Sequence, residues 1–134
     1  MSSASNYLEN KVLDHVLRNT AYTQPGNLFI GLFKNNSLSN LEVGTLSDEV
    51  STSGTAYARK AVTFGAAASG TATNSATVTF EAATDDWGTV TAIAILDTIT
   101  TGNVLFYGNL TTSKLIENGD TMQFVSTNIS VSLA

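Results

Sequence analysis

His15 is the only histidine of the chain, and a lone imidazole has few chemical uses. It can serve as a general base or ligate a metal, but both roles call for partners. The chain has no second His and no Cys, so a Cys–His zinc set and a thiolate nucleophile are both out of reach. His15 is therefore read as a structural residue on the flank of a helix. Glu81, Asp85 and Asp86 form the densest carboxylate group, and paired carboxylates suit acid–base work or calcium binding. Here they lead into Trp87-Gly88, where Asp is a turn former, and no Asp-x-Asp-x-Asp loop occurs. Asn118-Gly119-Asp120 carries the same double reading and is taken as a hairpin turn. Serine is common, yet there is no Gly-x-Ser-x-Gly elbow, and no P-loop or dinucleotide fingerprint appears. No catalytic, metal-binding or cofactor-binding residue is assigned. The expectation is a non-enzymatic protein without a cofactor.

The aromatic residues are the remaining candidates. Tyr7, Tyr22, Tyr57, Trp87, Phe106 and Tyr107 could line a sugar-binding face, but strand positions favour core and interface packing. Arg59, in Tyr57-Ala58-Arg59, is expected against an aromatic ring or an acid. Asn35, Asn109 and Asn128 each head a glycosylation acceptor triplet, which a chain so rich in Ser and Thr produces by chance.

Composition limits the partners. The 134 residues suit one domain with its own core. A formal charge of −5 with six Lys and Arg repels phosphate backbones, which argues against nucleic-acid binding. The N-terminus, from Met1 to Asn6, lacks a basic region followed by an apolar run, so no signal peptide is read. No apolar stretch is long enough for a membrane helix. About a quarter of the chain is Ser or Thr, the composition of pleated, half-buried surfaces and turns. Such neutral polar surface is easier to desolvate than a charged one, which fits a protein that makes broad protein–protein contacts.

The elements follow from periodicity. A helix is predicted over the first 20 residues, with Asn6 as cap and Glu9 completing a capping box. Its apolar stripe is Leu8, Val12, Leu13, Val16 and Leu17, and it stops near Asn19, before the Pro25-Gly26 turn. The period then falls to two. Strands are predicted at 27–33, 58–64, 76–80, 89–96, 103–110, 121–125 and 128–133. The first has apolar residues on both faces, which places it centrally or under two layers. In the fourth, Val90, Ala92 and Ala94 share one face and Ile93 and Ile95 the other. About seven short strands separated by turns describe an all-β sandwich or jelly roll behind one N-terminal helix, a single domain over 1–134 with its β part from 27. Residues 35–57 keep no period and are expected to form a long loop, either an arm toward a neighbouring subunit or a mobile excursion with one short strand near Glu42 to Leu46. Residues 65–73 read as a flexible connection.

Several segments together resemble a family of small virion proteins of tailed bacteriophages, both capsid decoration (cement) and tail-fibre-like members. They are Ser5-Asn6-Tyr7-Leu8-Glu9-Asn10-Lys11 with Asp14-His15, Thr20-Ala21-Tyr22-Thr23, Tyr57-Ala58-Arg59, Asp86-Trp87-Gly88-Thr89-Val90-Thr91, Asn103-Val104-Leu105-Phe106 and Gly119-Asp120-Thr121. The resemblance implies a structural protein made in the bacterial cytoplasm and built into the virion. The resemblance takes in both head and tail proteins; the preferred expectation is a cement role that binds and stabilises the major capsid protein shell, with a tail or tail-fibre component, connecting parts or recognising a receptor, as the alternative. It further implies a homo-oligomer, commonly a trimer. The expected partner interface comprises Tyr7, Leu8, Lys11 and Tyr22, with Tyr7 and Leu8 exposed, together with Leu38 and Leu41 of the arm.

Overall fold

The computed structural model describes residues 3–133; Met1, Ser2 and Ala134, the outermost residues of the expected domain and leader reading, lie outside it. The order is β1 (Ser3–Ala4), α1 (Asn6–Leu17), β2 (Leu28–Phe33), α2 (Leu38–Glu42), β3 (Lys60–Val62), β4 (Thr71–Thr73), β5 (Val78–Thr79), β6 (Gly88–Leu96), β7 (Val104–Ile116), β8 (Gln123–Phe124) and β9 (Ser130–Ser132). The fold is all-β with an N-terminal helix, as the periodicity indicates. Its centre is a five-stranded antiparallel sheet in the order β1-β7-β6-β2-β3. Two ribbons, β4-β9 and β5-β8, supply the opposing strands.

β2 sits inside the sheet because both of its faces are apolar. Ile30 and Leu32 join the larger core with Val78, Phe80, Trp87, Phe124 and Ile129, under the ribbons. Phe33 turns to the opposite face, where Leu41, Ala92, Ala94, Leu96 and Val104 form a second core. Small residues make that second face possible. A Cβ on Gly31 would stand 3.0 Å from Leu96 Cδ1 and 3.2 Å from Glu49 Oε2, so only glycine lets the chain after α2 lie so close to the sheet.

Four expectations are corrected. Val90 belongs with Ile93 and Ile95, not with Ala92 and Ala94. Val90 pairs with Lys114 while Ala92 pairs with Asn109, so residues 110–113 stand opposite Thr91 alone. The register breaks at this bulge, and Val90 lies in the larger core while Ala92 lies in the second one. β7 itself runs on to Ile116 instead of ending near Leu110. Residues 65–73 hold a real strand, β4, and the described strands number nine. Finally, 35–57 folds onto the sheet and carries no strand at Glu42 to Leu46. Val50 donates to Leu32 O at 3.0 Å and Lys34 to Asp48 O at 2.9 Å, extending the edge that β3 leaves. Asn35 and Asn36 take left-handed φ of 62° and 51°, a conformation Asn tolerates. Asp48 accepts from the Asn35 and Asn40 side-chain amides at 2.9 and 2.8 Å, and those bonds hold its carboxyl below the ordinary carboxylate range. Side-chain hydrogen bonds, invisible to a periodicity search, order this stretch.

Candidate functional site

The residues singled out for chemistry are spent on structure. His15 Nδ1 accepts from the Tyr22 amide at 3.1 Å, which ties the chain leaving α1 back to the helix. Glu81 pairs with Lys60 at 2.6 Å. Asp85 accepts from the Asp86 amide and Asp86 from the Asn118 amide, at 2.8 and 3.0 Å, while Asp120 accepts from Glu117 N at 2.8 Å. Each of these carboxylates holds a turn or meets a cation. Among the described residues no group of three or more His, Asp or Glu side chains converges on a metal position.

The best-formed polar cluster is one that only Arg59 announced. Arg59 is 4% exposed. It donates through Nε and Nη2 to both carboxylate oxygens of Glu49 at 2.8 Å, and through Nη1 to the carbonyls of Thr98 and Thr101 at 2.8 Å. The Tyr57 hydroxyl donates to Glu49 at 2.7 Å and accepts from Leu32 N at 3.0 Å. β2 changes partner at this point, from β3 to residues 48–50, and the hydroxyl satisfies the amide left in the gap. Burial, and then the charge of Glu49, push the Tyr57 phenol far above its ordinary range. With every polar atom committed and the guanidinium enclosed, the cluster works as a clamp between β2, residues 49–59 and the 97–103 turn.

Tyr57 and Trp87 lie edge to face at 5.4 Å, with Phe80 and Phe124 beside them. The Trp87 indole donates to Thr55 O at 2.8 Å. These rings are core. A cleft of about 350 Å³ opens between β7 and residues 122–131, with Phe106, Leu110, Met122 and Ile129 among its walls. A smaller apolar one of about 290 Å³ lies beside Leu28, Phe64 and Leu133.

The surface that stands out is α1. Ser5 caps it, accepting from Leu8 N at 3.2 Å and donating to Val104 O; the cap is Ser5 rather than Asn6 because β1 has just brought Ser5 against β7. Contrary to expectation, Leu8 is buried, at 7% exposure, and anchors the helix to the domain. The rest of the stripe faces solvent: Val12 is 36% exposed, Leu13 55%, Val16 69% and Leu17 74%. Of the other expected interface residues, Tyr7 is half-buried with Lys11 Nζ 5.7 Å from its ring centre, and Lys11 is exposed. Tyr22 and Leu38 are half-buried, and Leu41 is fully buried in the second core. Tyr7, Lys11 and Tyr22 thus share the helical region, while Leu38 and Leu41 hold α2 to the sheet.

One protein family, described as Podophage GP4 fiber I protein gp80, matches residues 3–132 of the chain. No curated protein matches it.

Proposed function

The chain belongs to the Podophage GP4 fiber I protein gp80 family, a family of fibre-like virion structural proteins, and from that premise we propose that it is a non-catalytic subunit of a tail appendage. The observation that carries this reading is the exposed stripe of α1. A helix that buries one leucine and leaves Leu13, Val16 and Leu17 in water gives up several kcal/mol of available burial at ~1.5–3 kcal/mol per large apolar side chain. A contiguous apolar patch of this kind marks a contact with another protein. The family's description supports the fibre reading over decoration of the capsid shell. The subunit adds interface area to the particle and performs no reaction.

The test is a phage carrying Leu13→Ser, Val16→Ser and Leu17→Ser together. All three positions are exposed, so the purified variant keeps its circular dichroism spectrum. Mass spectrometry of purified particles is expected to show the variant lost from virions, with the wild-type chain far below the major capsid protein in copy number and antibody label confined to the tail. Label spread over the shell, at a copy number comparable to the capsid protein, overturns the fibre reading in favour of decoration.

A further inference from the structure

We propose that the cleft between β7 and residues 122–131 is a binding site for a short saccharide. This goes beyond the appendage reading, and the stripe of α1 plays no part in it. The cleft holds about 350 Å³, at the small end of the roughly 300–1,000 Å³ of ligand sites. Its floor is apolar, with Met122 and Ile129 buried and Phe106 and Leu110 half-buried. Its rim carries amides. Asn109, Gln123 and Asn128 are exposed there, and among the described residues their side chains have no hydrogen-bond partner. Both walls depart from regular strand beside the cleft. On the sheet side, residues 110–113 stand opposite Thr91 alone, and bulges re-aim side chains next to functional sites. On the other side Thr127 holds a φ of 69°, an outlier for a β-branched residue. Asn74, fully buried, fixes that turn from inside. Its carbonyl accepts from Thr127 N at 2.9 Å and its Oδ1 from Ile129 N at 2.8 Å, while Nδ2 donates to Val125 O at 3.0 Å. Strain braced in this way is found where a segment holds a ligand, and here it sets the place of Asn128.

The chemistry of the lining selects the ligand. A pyranose ring is apolar on its C–H face and carries hydroxyl donors and acceptors around its edge. An apolar floor under a rim of neutral amides is the complement of that pattern. Among the described residues Lys114 is the one charged group along the cleft, and no carboxylate lines it. An acidic sugar is therefore accepted, while a cationic one finds no counter-charge. A nucleic acid would need more than one cation for its phosphates. An extended peptide would need a regular strand edge, and the bulge at 110–113 interrupts the ladder of β7. The saccharide is the class that fits. Its neutral hydrogen bonds replace bonds to water, so a single site binds weakly and gains from several copies held in one assembly.

Saturation-transfer NMR on the purified full chain tests this with maltose, di-N-acetylchitobiose and digalacturonate as probes. At least one of these disaccharides is expected to receive saturation from the protein. Gln123→Ala and Asn128→Ala, both at exposed positions, should each weaken that signal several-fold and leave the circular dichroism spectrum unchanged. Absence of transfer to all three probes overturns the proposal. So does a signal that survives in the Gln123→Ala and Asn128→Ala double variant, because the sugar then binds elsewhere. An alternating Val-Thr peptide that displaces the sugar and shifts the amide resonances of residues 108–113 also overturns it, by making this edge a strand acceptor. These measurements use purified protein alone, so their failure is separate from failure of the fibre reading, which shows only in particles.

Discussion

At the scale of single residues, Glu49, Tyr57 and Arg59 concentrate the polar energetics of the fold. Replacing Glu49 with Ala leaves an enclosed guanidinium with two carbonyl partners and no counter-charge. The expected cost is roughly 3–5 kcal/mol, read from the urea midpoint, against a total of about 5–15 kcal/mol for a domain. Tyr57→Phe removes the acceptor of Leu32 N and should cost about 1–3 kcal/mol near neutral pH. It has a second signature at alkaline pH. The phenol's pKa is raised in the folded state, so its contribution is complete below the unfolded value of about 10 and is lost as pH rises beyond it. The wild-type protein should therefore lose stability above about pH 10, and Tyr57→Phe should show a shallower loss over the same window. Tyr22 and Tyr107, also raised by burial, keep the remaining slope from vanishing. Arg59 was legible as a structural residue against a ring or an acid, and the structure supplies the acid. Glu49 was not, because it lies ten positions before Arg59 in a stretch without period.

At the scale of elements, α1 is lightly secured. One buried leucine and the Ser5 cap hold it to β7. Ser5→Ala should cost about 1 kcal/mol, within the 0.5–2 kcal/mol of lost N-caps. Because so little else anchors the helix, hydrogen exchange should accelerate across residues 6–17 and leave the central strands protected; uniform acceleration would mean that α1 unfolds only with the sheet. The helix and its stripe were readable from spacing, but its cap was not. Asn6 and Ser5 are both good caps, and the pairing of β1 with β7 decides between them. β6 teaches the same point. Its alternation was visible, but the bulge opposite Thr91 depends on where β7 pairs, which no single strand encodes. Asn74 went unremarked in the sequence, yet it is fully buried and holds Ala76 O, Val125 O and Ile129 N. It fastens β4 to the last turn and makes an ordered segment of a stretch that reads as a tether.

At the scale of the molecule, a sheet covered on one face by two ribbons and on the other by the folded-back chain around α2 presents α1 outward. The chain lacks the residue types for Cys–His metal chemistry or thiol catalysis, and the acids singled out in its sequence hold turns or meet a cation. In the function proposed for it, its work is to hold and be held. The helical stripe is where that contact is proposed, and the clamp at Arg59 ties β2 to residues 49–59 and the 97–103 turn.

The sequence alone determined the class of the fold, the helix at its start, the buried double-sided strand β2 and the poverty of catalytic groups. These are local properties, set by residue type and by periods of two and 3.6. The tertiary structure decided which residues of the α1 stripe are core and which are surface. Hydrophobic spacing shows that a helix has an apolar side; it does not show whether the domain covers all of it. Here the domain covers Leu8 and leaves the rest of the stripe in solvent. The tertiary structure also decided that residues 35–57 are part of the body: Asp48 gathers Asn35 and Asn40 within the segment, while the segment's backbone bonds Leu32, Thr91 and Trp87, partners that are in place only once the sheet has formed.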